Sequence, residues 1–211
     1  MGNFETEITL DVLELVYSLP KQKQIKLIKE LLSNLDSNDL NDIIPQNNID
    51  IDRINFLNKE LKTNYKSLDE VDWVWISNSQ NLSEEFIRKF TDKVNWVEIS
   101  SCQNLSEDFI REFADYVDWE EISISQALSE SFIREYKDKV DWILISQYQN
   151  LSEDFIREFK NYVDWWQISF TQHLSEGFIR EFQDRVDWWC IFNVQKPSEE
   201  FRKEFEYKIK K

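Results

Sequence analysis

A block of 23 residues recurs six times in this 211-residue chain, and each copy begins with a valine. The valine is followed by Asp-Trp in five copies and by Asn-Trp in one. No residue is inserted or deleted between the six starts, which are Val71, Val94, Val117, Val140, Val163 and Val186. A fixed period of this length is typical of a solenoid, in which each repeat packs on its neighbours. We number positions within a repeat from the valine, which is position 1.

The second half of each repeat has the pattern of a short helix. Ser106 of the second copy stands at an N-cap position, and Glu107 opens the first turn. The apolar residues that follow lie on one side of a helix with 3.6 residues per turn. A glutamate at position 14 precedes an arginine at position 18 in five copies, the favourable order for a surface ion pair. These pairs are Glu84 and Arg88, Glu107 and Arg111, Glu130 and Arg134, Glu153 and Arg157, and Glu176 and Arg180.

The first half of each repeat is more ambiguous. A strand would need an apolar residue at position 5, where the chain varies between tryptophan, glutamate, leucine, glutamine and cysteine. As a helix, this half has Asp118 or its equivalent Asn95 as N-cap, with Trp119 and Ile122 on one face. We therefore expect an all-α solenoid of short antiparallel helix pairs. A leucine-rich-repeat-like β/α solenoid stays open as the alternative.

The last copy differs from the others at three places that matter for stacking. Phe192 replaces the serine at position 7, Pro197 replaces the leucine at position 12, and Arg202 replaces the isoleucine at position 17. A charged group where another repeat would dock is what an end cap needs. We expect repeat 6 to terminate the array.

The residues before the array divide into two further segments. Residues 1–36 are predicted to form a helical hairpin with two apolar stripes, which either caps the open end of the solenoid or mediates self-association. Residues 37–70 are predicted to be a linker and a lead-in helix capped by Asp52, with Ile54, Leu57 and Leu61 on its apolar face. Whether residues 51–70 are a decayed seventh copy stays open. Residues 71–211 then form the repeat solenoid with its C-terminal cap.

Composition limits the partners of the chain. The net charge of −16 comes from 41 acidic and 25 basic residues, and it repels phosphate backbones and anionic lipids. We expect no direct nucleic-acid or membrane binding, and a basic or nucleic-acid-binding protein would fit as partner. No 18-residue apolar run or leader is recognisable, and Cys102 and Cys190 fall at unrelated repeat positions. The expected location is the cytoplasm, that of the host cell if the chain is viral.

No constellation of catalytic or metal-ligating residues can be assembled from the sequence. His173 is the only histidine, and Gly2 and Gly177 are the only glycines, which excludes phosphate-binding glycine loops and histidine pairs. The aspartate at position 2 and the glutamate at position 14 recur too regularly to be a catalytic dyad. We expect no catalytic residue, no cofactor and no metal, and therefore a protein that is not an enzyme.

Position 10 is a glutamine in all six copies. One interpretation is a one-residue-per-repeat code for RNA bases. A code needs variation, however, and an acidic array would repel RNA, so we favour buried amides that satisfy the backbone of turns. The residues are Gln80, Gln103, Gln126, Gln149, Gln172 and Gln195.

Recognition is expected where the copies disagree, at positions 4, 5, 8, 9 and 11. These positions carry large aromatic side chains that the core pattern does not require, and such residues are frequent anchors of interfaces. The alternative is that they fill irregular gaps between repeats. The predicted partner-binding residues are Trp75, Tyr148, Trp166, Phe170, Trp189 and, at the otherwise fixed position 7, Phe192.

The run VDWxxISxxQxLSEDFIREF, which covers residues 71 to about 207, resembles tandem repeats in uncharacterised proteins of bacteriophages and large DNA viruses. The resemblance implies no known activity and no functional residues, and a viral origin implies interference with a host protein. We therefore expect a non-enzymatic repeat scaffold that binds another protein, such as a viral or phage inhibitor of a host protein. The alternative is an acidic nucleic-acid mimic that blocks a DNA- or RNA-binding defence or regulatory protein.

Overall fold

The computed structural model describes residues 46–208, with side chains from Asp50 onward. These residues belong to two compact domains, of which the first reaches Val71 and the second begins at Asp72. The hairpin predicted over residues 1–36 lies outside the described residues, as does the predicted linker before residue 46.

The first domain ends in a helix that is longer than predicted. Helix α1 spans Gln46–Leu61, so Asp52 lies inside the helix and the prediction that it is the N-cap is wrong. Ile54 and Leu57 are buried as expected. A 3₁₀ turn (Leu68–Glu70) follows, capped by the Ser67 side chain. A 16-residue helix and a 3₁₀ turn do not match the helix pair of a repeat, so residues 46–70 are not a seventh copy.

Each repeat forms two short helices, a first helix that begins at position 3 and a second helix over positions 14–19. The first helices are α2 (Trp73–Ser79), α4 (Trp96–Cys102), α6 (Trp119–Ser125), α8 (Trp142–Tyr148), α10 (Trp165–Thr171) and α12 (Trp188–Cys190), the last continuing as a π-helical segment over Ile191–Gln195. The second helices are α3 (Glu84–Lys89), α5 (Glu107–Glu112), α7 (Glu130–Glu135), α9 (Glu153–Glu158), α11 (Glu176–Glu181) and α13 (Glu199–Glu204), followed by a 3₁₀ turn (Glu206–Lys208). Residues 46–208 contain no strand, so the all-α solenoid is confirmed and the β/α alternative is wrong.

Side-chain caps start both helices of a repeat, as predicted. Asp118 Oδ1 accepts a hydrogen bond from the backbone N–H of Glu121 (3.1 Å), and Asn95 caps α4 in the same way. Ser106 Oγ accepts from the N–H of Phe109 (3.1 Å). Helices of six or seven residues are too short to be stable alone in water. Their stability must therefore come from packing between the repeats.

The residues that recur build the core. The valine at position 1, the isoleucine at position 6 and the phenylalanine at position 16 are buried in the repeats, as Val140, Ile145 and Phe155 show. The tryptophan at position 3 covers this core: the Trp142 ring stacks on Phe159 at 5.0 Å between centroids. Its Nε1 donates to the Lys137 carbonyl at 2.9 Å, so the polar edge of the half-buried ring is satisfied.

The glutamine at position 10 joins each repeat to the one before it. Gln103 Nε2 donates to the carbonyls of Ser77 (2.7 Å) and Gln80 (2.8 Å), and Gln103 Oε1 accepts from the Leu82 N–H (2.9 Å). Three backbone groups of repeat 1 are thus satisfied by one side chain of repeat 2. The interpretation of position 10 as a buried amide is confirmed for Gln103, Gln126, Gln149 and Gln172, whereas Gln80 and Gln195 are half-buried. The same three bonds are made by Gln126, Gln149, Gln172 and Gln195.

The glutamate and arginine of the second helix also reach across to the next repeat. Glu107 Oε1 accepts from the N–H of Ser129 (2.7 Å), the N-cap of the following second helix. Arg111 lies 3.5 Å from Glu107, which confirms the predicted pair, but its Nε makes the shorter bond to Glu135 in the next repeat (2.8 Å). Its guanidinium also lies 5.0 Å from the centroid of the Phe132 ring. The ion pair predicted within one helix is therefore part of a network between repeats.

This network predicts a loss of stability in acid. Burial opposes ionisation of Glu107, but hydrogen bonds from Ser129 and the Arg111 charge outweigh it and lower the pKa of Glu107. The causes are the same for Glu84, and the Ser198 hydrogen bonds likewise lower the pKa of Glu176. A lowered pKa in the folded state stabilises the protein above the unfolded value of 4.5, and this stabilisation disappears as pH falls through the folded pKa.

We therefore expect the urea midpoint to fall steeply as the pH is lowered from 4.5 toward 3. The Glu107→Gln variant keeps an oxygen for Ser129 but cannot titrate, so its midpoint should decline less over this range than that of the wild type. Equal declines in wild type and in Glu107→Gln and Glu84→Gln would contradict the prediction.

Repeat 6 ends the array by removing the groups that a further repeat would bond. Arg202 Nη2 donates to the Phe192 carbonyl (2.6 Å), the carbonyl at position 7 that a following glutamine would otherwise bond. Pro197 has no N–H, so the donor at position 12 is absent. In the other repeats the residue at position 7 is a serine whose hydroxyl accepts a hydrogen bond from the next repeat. Ser123, for example, accepts from the N–H of Asp141 (3.1 Å). Phe192 replaces this serine in repeat 6. Each change cancels one bond to a seventh repeat, as an end cap requires.

Candidate functional site

The first helices form one continuous surface along the repeats. Asn78 at position 8 donates to Glu98 at position 5 of the next repeat (2.6 Å), so these two positions meet between neighbouring helices. Positions 4 and 9 are exposed in every repeat. We call the surface made by positions 4, 5, 8 and 9 of repeats 1–6 the first-helix face. It contains four of the five positions at which the copies disagree.

Five of the six predicted partner-binding residues lie on this face with exposed side chains. Trp166 and Phe170 stand one turn apart on α10, with their rings parallel to within 7° and their centroids 5.2 Å apart. The Trp189 side chain is 63% exposed in the next repeat, and Tyr148 is exposed in the previous one. Trp75 is exposed on α2 in repeat 1, five repeats before Trp189 in repeat 6. The structure thus brings Tyr148, Trp166, Phe170 and Trp189 onto three neighbouring repeats and leaves Trp75 apart.

Phe192 does not belong to the face: the structure places its side chain in the end cap, where it is nearly buried. Its side chain is only 5% exposed, packs on Trp188 and is covered by the Arg202 guanidinium, 5.5 Å from the ring centroid. Position 7 faces the next repeat along the array. In repeats 1–5 its serine hydroxyl accepts a hydrogen bond from the backbone of that next repeat. The substitution of Phe192 is explained by the end cap.

Two aliphatic residues of the aromatic region were not predicted. Ile143 at position 4 of repeat 4 is 54% exposed, and Val194 at position 9 of repeat 6 is also exposed. They extend the apolar surface around Trp166 and Trp189. Both residues occupy variable positions, so the sequence already indicated them. They were missed because only aromatic residues at these positions were considered. We call Ile143, Tyr148, Trp166, Phe170, Trp189 and Val194 the apolar patch.

The charges of the first-helix face are all negative. From Val71 to Gln195 every lysine and arginine lies in the second half of a repeat. The face carries Glu98, Glu120 and Glu121 in repeats 2 and 3, with the exposed Val97 beside Glu98. The face therefore has an acidic part in repeats 2 and 3 and an apolar part in repeats 4 to 6.

The reactive side chains of the described residues do not converge. His173 is exposed at position 11, and Cys102 is exposed at position 9 of repeat 2. Burial and the neighbouring Asp187 raise the pKa of the Cys190 thiol to about 11, which keeps it protonated and poorly nucleophilic at neutral pH. Residues 46–208 contain no group of three histidine, cysteine, aspartate or glutamate side chains placed to hold a metal ion.

Within the described part of the chain, no helix has the length and apolar character needed to cross a bilayer. No family model, curated protein or solved structure matches the chain.

Proposed function

We propose that the chain is a non-enzymatic scaffold that captures another protein along the first-helix face, acting as a viral or phage inhibitor of a host protein. The observation that carries this proposal is that the recurring positions and the variable positions have different structural roles. The residues that recur form the core or the bonds between repeats, whereas position 4, exposed in every repeat, changes from Val74 to Glu120 to Trp166. Side chains that vary while exposed are free to serve recognition.

The apolar patch is the best candidate for the centre of the contact. Exposed aromatic side chains close together are costly to leave in water and contribute strongly when a partner covers them. The Trp166 and Phe170 rings present a flat apolar surface with little conformational freedom to lose, because each is held by the other.

The double variant Trp166→Ala and Phe170→Ala should lose about 2 kcal/mol or more of binding free energy for the natural partner, because these side chains are central anchors. Its stability should change little, because both side chains are exposed in the free protein. The measurement is affinity capture from a host lysate by wild type and variant in parallel, quantified by mass spectrometry.

The matched control is Tyr116→Ala, which removes an equally exposed aromatic side chain from a turn after the second helix of repeat 2. It should capture the same protein as the wild type. Equal capture by the double variant and the wild type would exclude the apolar patch as the binding site.

The alternative function, an acidic nucleic-acid mimic, depends on rows of free carboxylates. On the second helices these groups are engaged: Arg88 bonds Glu112 (2.7 Å), Arg134 bonds Glu158 (2.8 Å), and the pattern repeats along the array. Salt separates the two functions. Binding by mimicry weakens steeply as ionic strength rises, whereas binding through the apolar patch does not.

A further inference from the structure

The acidic part of the first-helix face lies in repeats 2 and 3, and the apolar part follows in repeats 4–6. This order restricts the chemical character of a partner that binds along the face. Glu120 and Glu121 open helix α6 in repeat 3, and Glu98 lies in repeat 2. The apolar patch begins with Ile143 in the next repeat. A ligand that follows the face therefore passes from a region of carboxylates to a region of aromatic rings.

Among residues 46–208, no lysine or arginine occupies positions 4, 5, 8 or 9 of a repeat to balance these carboxylates. Arg111 and the other arginines lie on the second helices, where they bond glutamates of that side. A partner that covers Glu98, Glu120 and Glu121 without bringing positive charge would leave them desolvated and unpaired, which is costly. Charge complementarity thus favours lysine or arginine on the partner at repeats 2 and 3.

Between the two regions lies a depression of about 350 Å³ whose lining is both apolar and polar. Ile124, Leu128 and Tyr148 line it together with Ser125, Gln126, Gln149 and Asn150. Ala127 stands in it where repeats 1, 2 and 4 have an asparagine, so the smaller residue leaves this space open.

We infer that the first-helix face of repeats 2–6 binds a basic amphipathic segment of a partner protein, with its lysines or arginines over repeats 2 and 3 and its apolar side chains over repeats 4–6. This inference rests on the proposed function and specifies its partner. Packed helices lie about 8–10 Å apart, so these repeats span roughly 32–40 Å. A helix of about 21–27 residues, or an extended segment of about 10–12, covers that length.

A second copy of the chain fits this face less well. It would bring a net charge of −16 to a surface without cations, and nucleic acid or an anionic membrane would add further negative charge. Only a partner with local positive charge and apolar side chains satisfies both parts of the face.

The test is fluorescence anisotropy with a labelled helical peptide of about 24 residues, long enough for the face, with lysines in one half and leucines at i, i+3 and i+4 spacing in the other. Two control peptides replace all lysines by glutamate or all leucines by serine. The lysine–leucine peptide should bind, and each control peptide should bind at least about tenfold more weakly, since each loses one of the two complementary regions.

Four protein variants locate the binding. The pairs Trp166→Ala with Phe170→Ala and Glu120→Lys with Glu121→Lys should each weaken binding of the lysine–leucine peptide about tenfold or more. Tyr116→Ala and Asp138→Lys make comparable changes at exposed sites outside the face and should leave the affinity unchanged.

Several outcomes overturn the inference. They are equal binding of the glutamate peptide, equal binding by all variants, and no binding of any peptide. If no peptide binds while the patch variant still loses its partner from lysate, the basic class of partner is wrong and the proposed function stands. A dimer in sedimentation that disappears in the patch variant would identify a second copy as the occupant and would also overturn the inference.

Discussion

The Gln149→Ala variant should lose about 3 kcal/mol or more of its free energy of unfolding, since three buried backbone groups lose their partner at about 1–3 kcal/mol each. Gln149 Nε2 donates to the carbonyls of Ser123 (3.0 Å) and Gln126 (2.8 Å), and its Oε1 accepts from the Leu128 N–H (3.0 Å). All three bonds join repeats 3 and 4 in the middle of the array. Chemical denaturation followed by tryptophan fluorescence measures the loss.

Two further variants separate the hydrogen bonds from the volume of the side chain. Gln149→Met keeps most of the volume but cannot make the three bonds, so it should be nearly as destabilised as Gln149→Ala. Gln147→Ala, on the same helix but half-exposed, should change stability by only about 0.5 kcal/mol. A loss of less than about 1 kcal/mol in Gln149→Ala would show that the backbone groups find other partners.

A chain that ends after Val186, and so keeps only the first residue of repeat 6, should aggregate at micromolar concentration or fail to fold. The core of the last interface contains Ile179, Ile191 and Phe201, and deletion exposes the side that belongs to repeat 5. The carbonyls of Ser169 and Gln172 also lose Gln195. An apolar end with unpaired backbone groups is a surface for uncontrolled association. Sedimentation velocity of the truncated and full-length chains measures the effect.

The structure suggests how to rescue the truncated chain. The substitutions Ser169→Phe, Leu174→Pro and Ile179→Arg transfer the three changes of repeat 6 to the corresponding positions of repeat 5. If these residues terminate the array, the substituted truncated chain should sediment as a soluble monomer. Equal aggregation with and without the transfer would show that the three residues do not act as a cap.

The repeat fold was largely predictable because each of its determinants acts locally. The capping roles of Asp118 and Ser106 follow from residue type and spacing within a few residues. The choice between helix and strand in the first half depended on position 5, and the half-buried Glu121 and Gln167 found there explain why a strand pattern fails. Helix α1 was placed too late because Gln46 and its neighbours are polar and suggest a linker.

The bonds between repeats were less predictable because they depend on the stacking register. Arg111 stands four residues after Glu107, and that spacing suggests only the pair within the helix. The shorter bond to Glu135 requires knowledge of which positions of two repeats face each other. The same reason explains why the buried position of Phe192 was not predicted. From the sequence it is one more irregular aromatic residue, and only the register shows that position 7 faces the next repeat.

The glutamine bonds all run in one direction, from each repeat to its predecessor, and this has a consequence for synthesis on the ribosome. The backbone groups in the turn of a newly made repeat become hydrogen-bonded only when the glutamine of the next repeat, 23 residues later, has left the exit tunnel. The growing chain therefore always carries one unfinished end, and this end moves forward with translation. Arg202 closes it, because this residue satisfies a carbonyl of its own repeat and needs no successor.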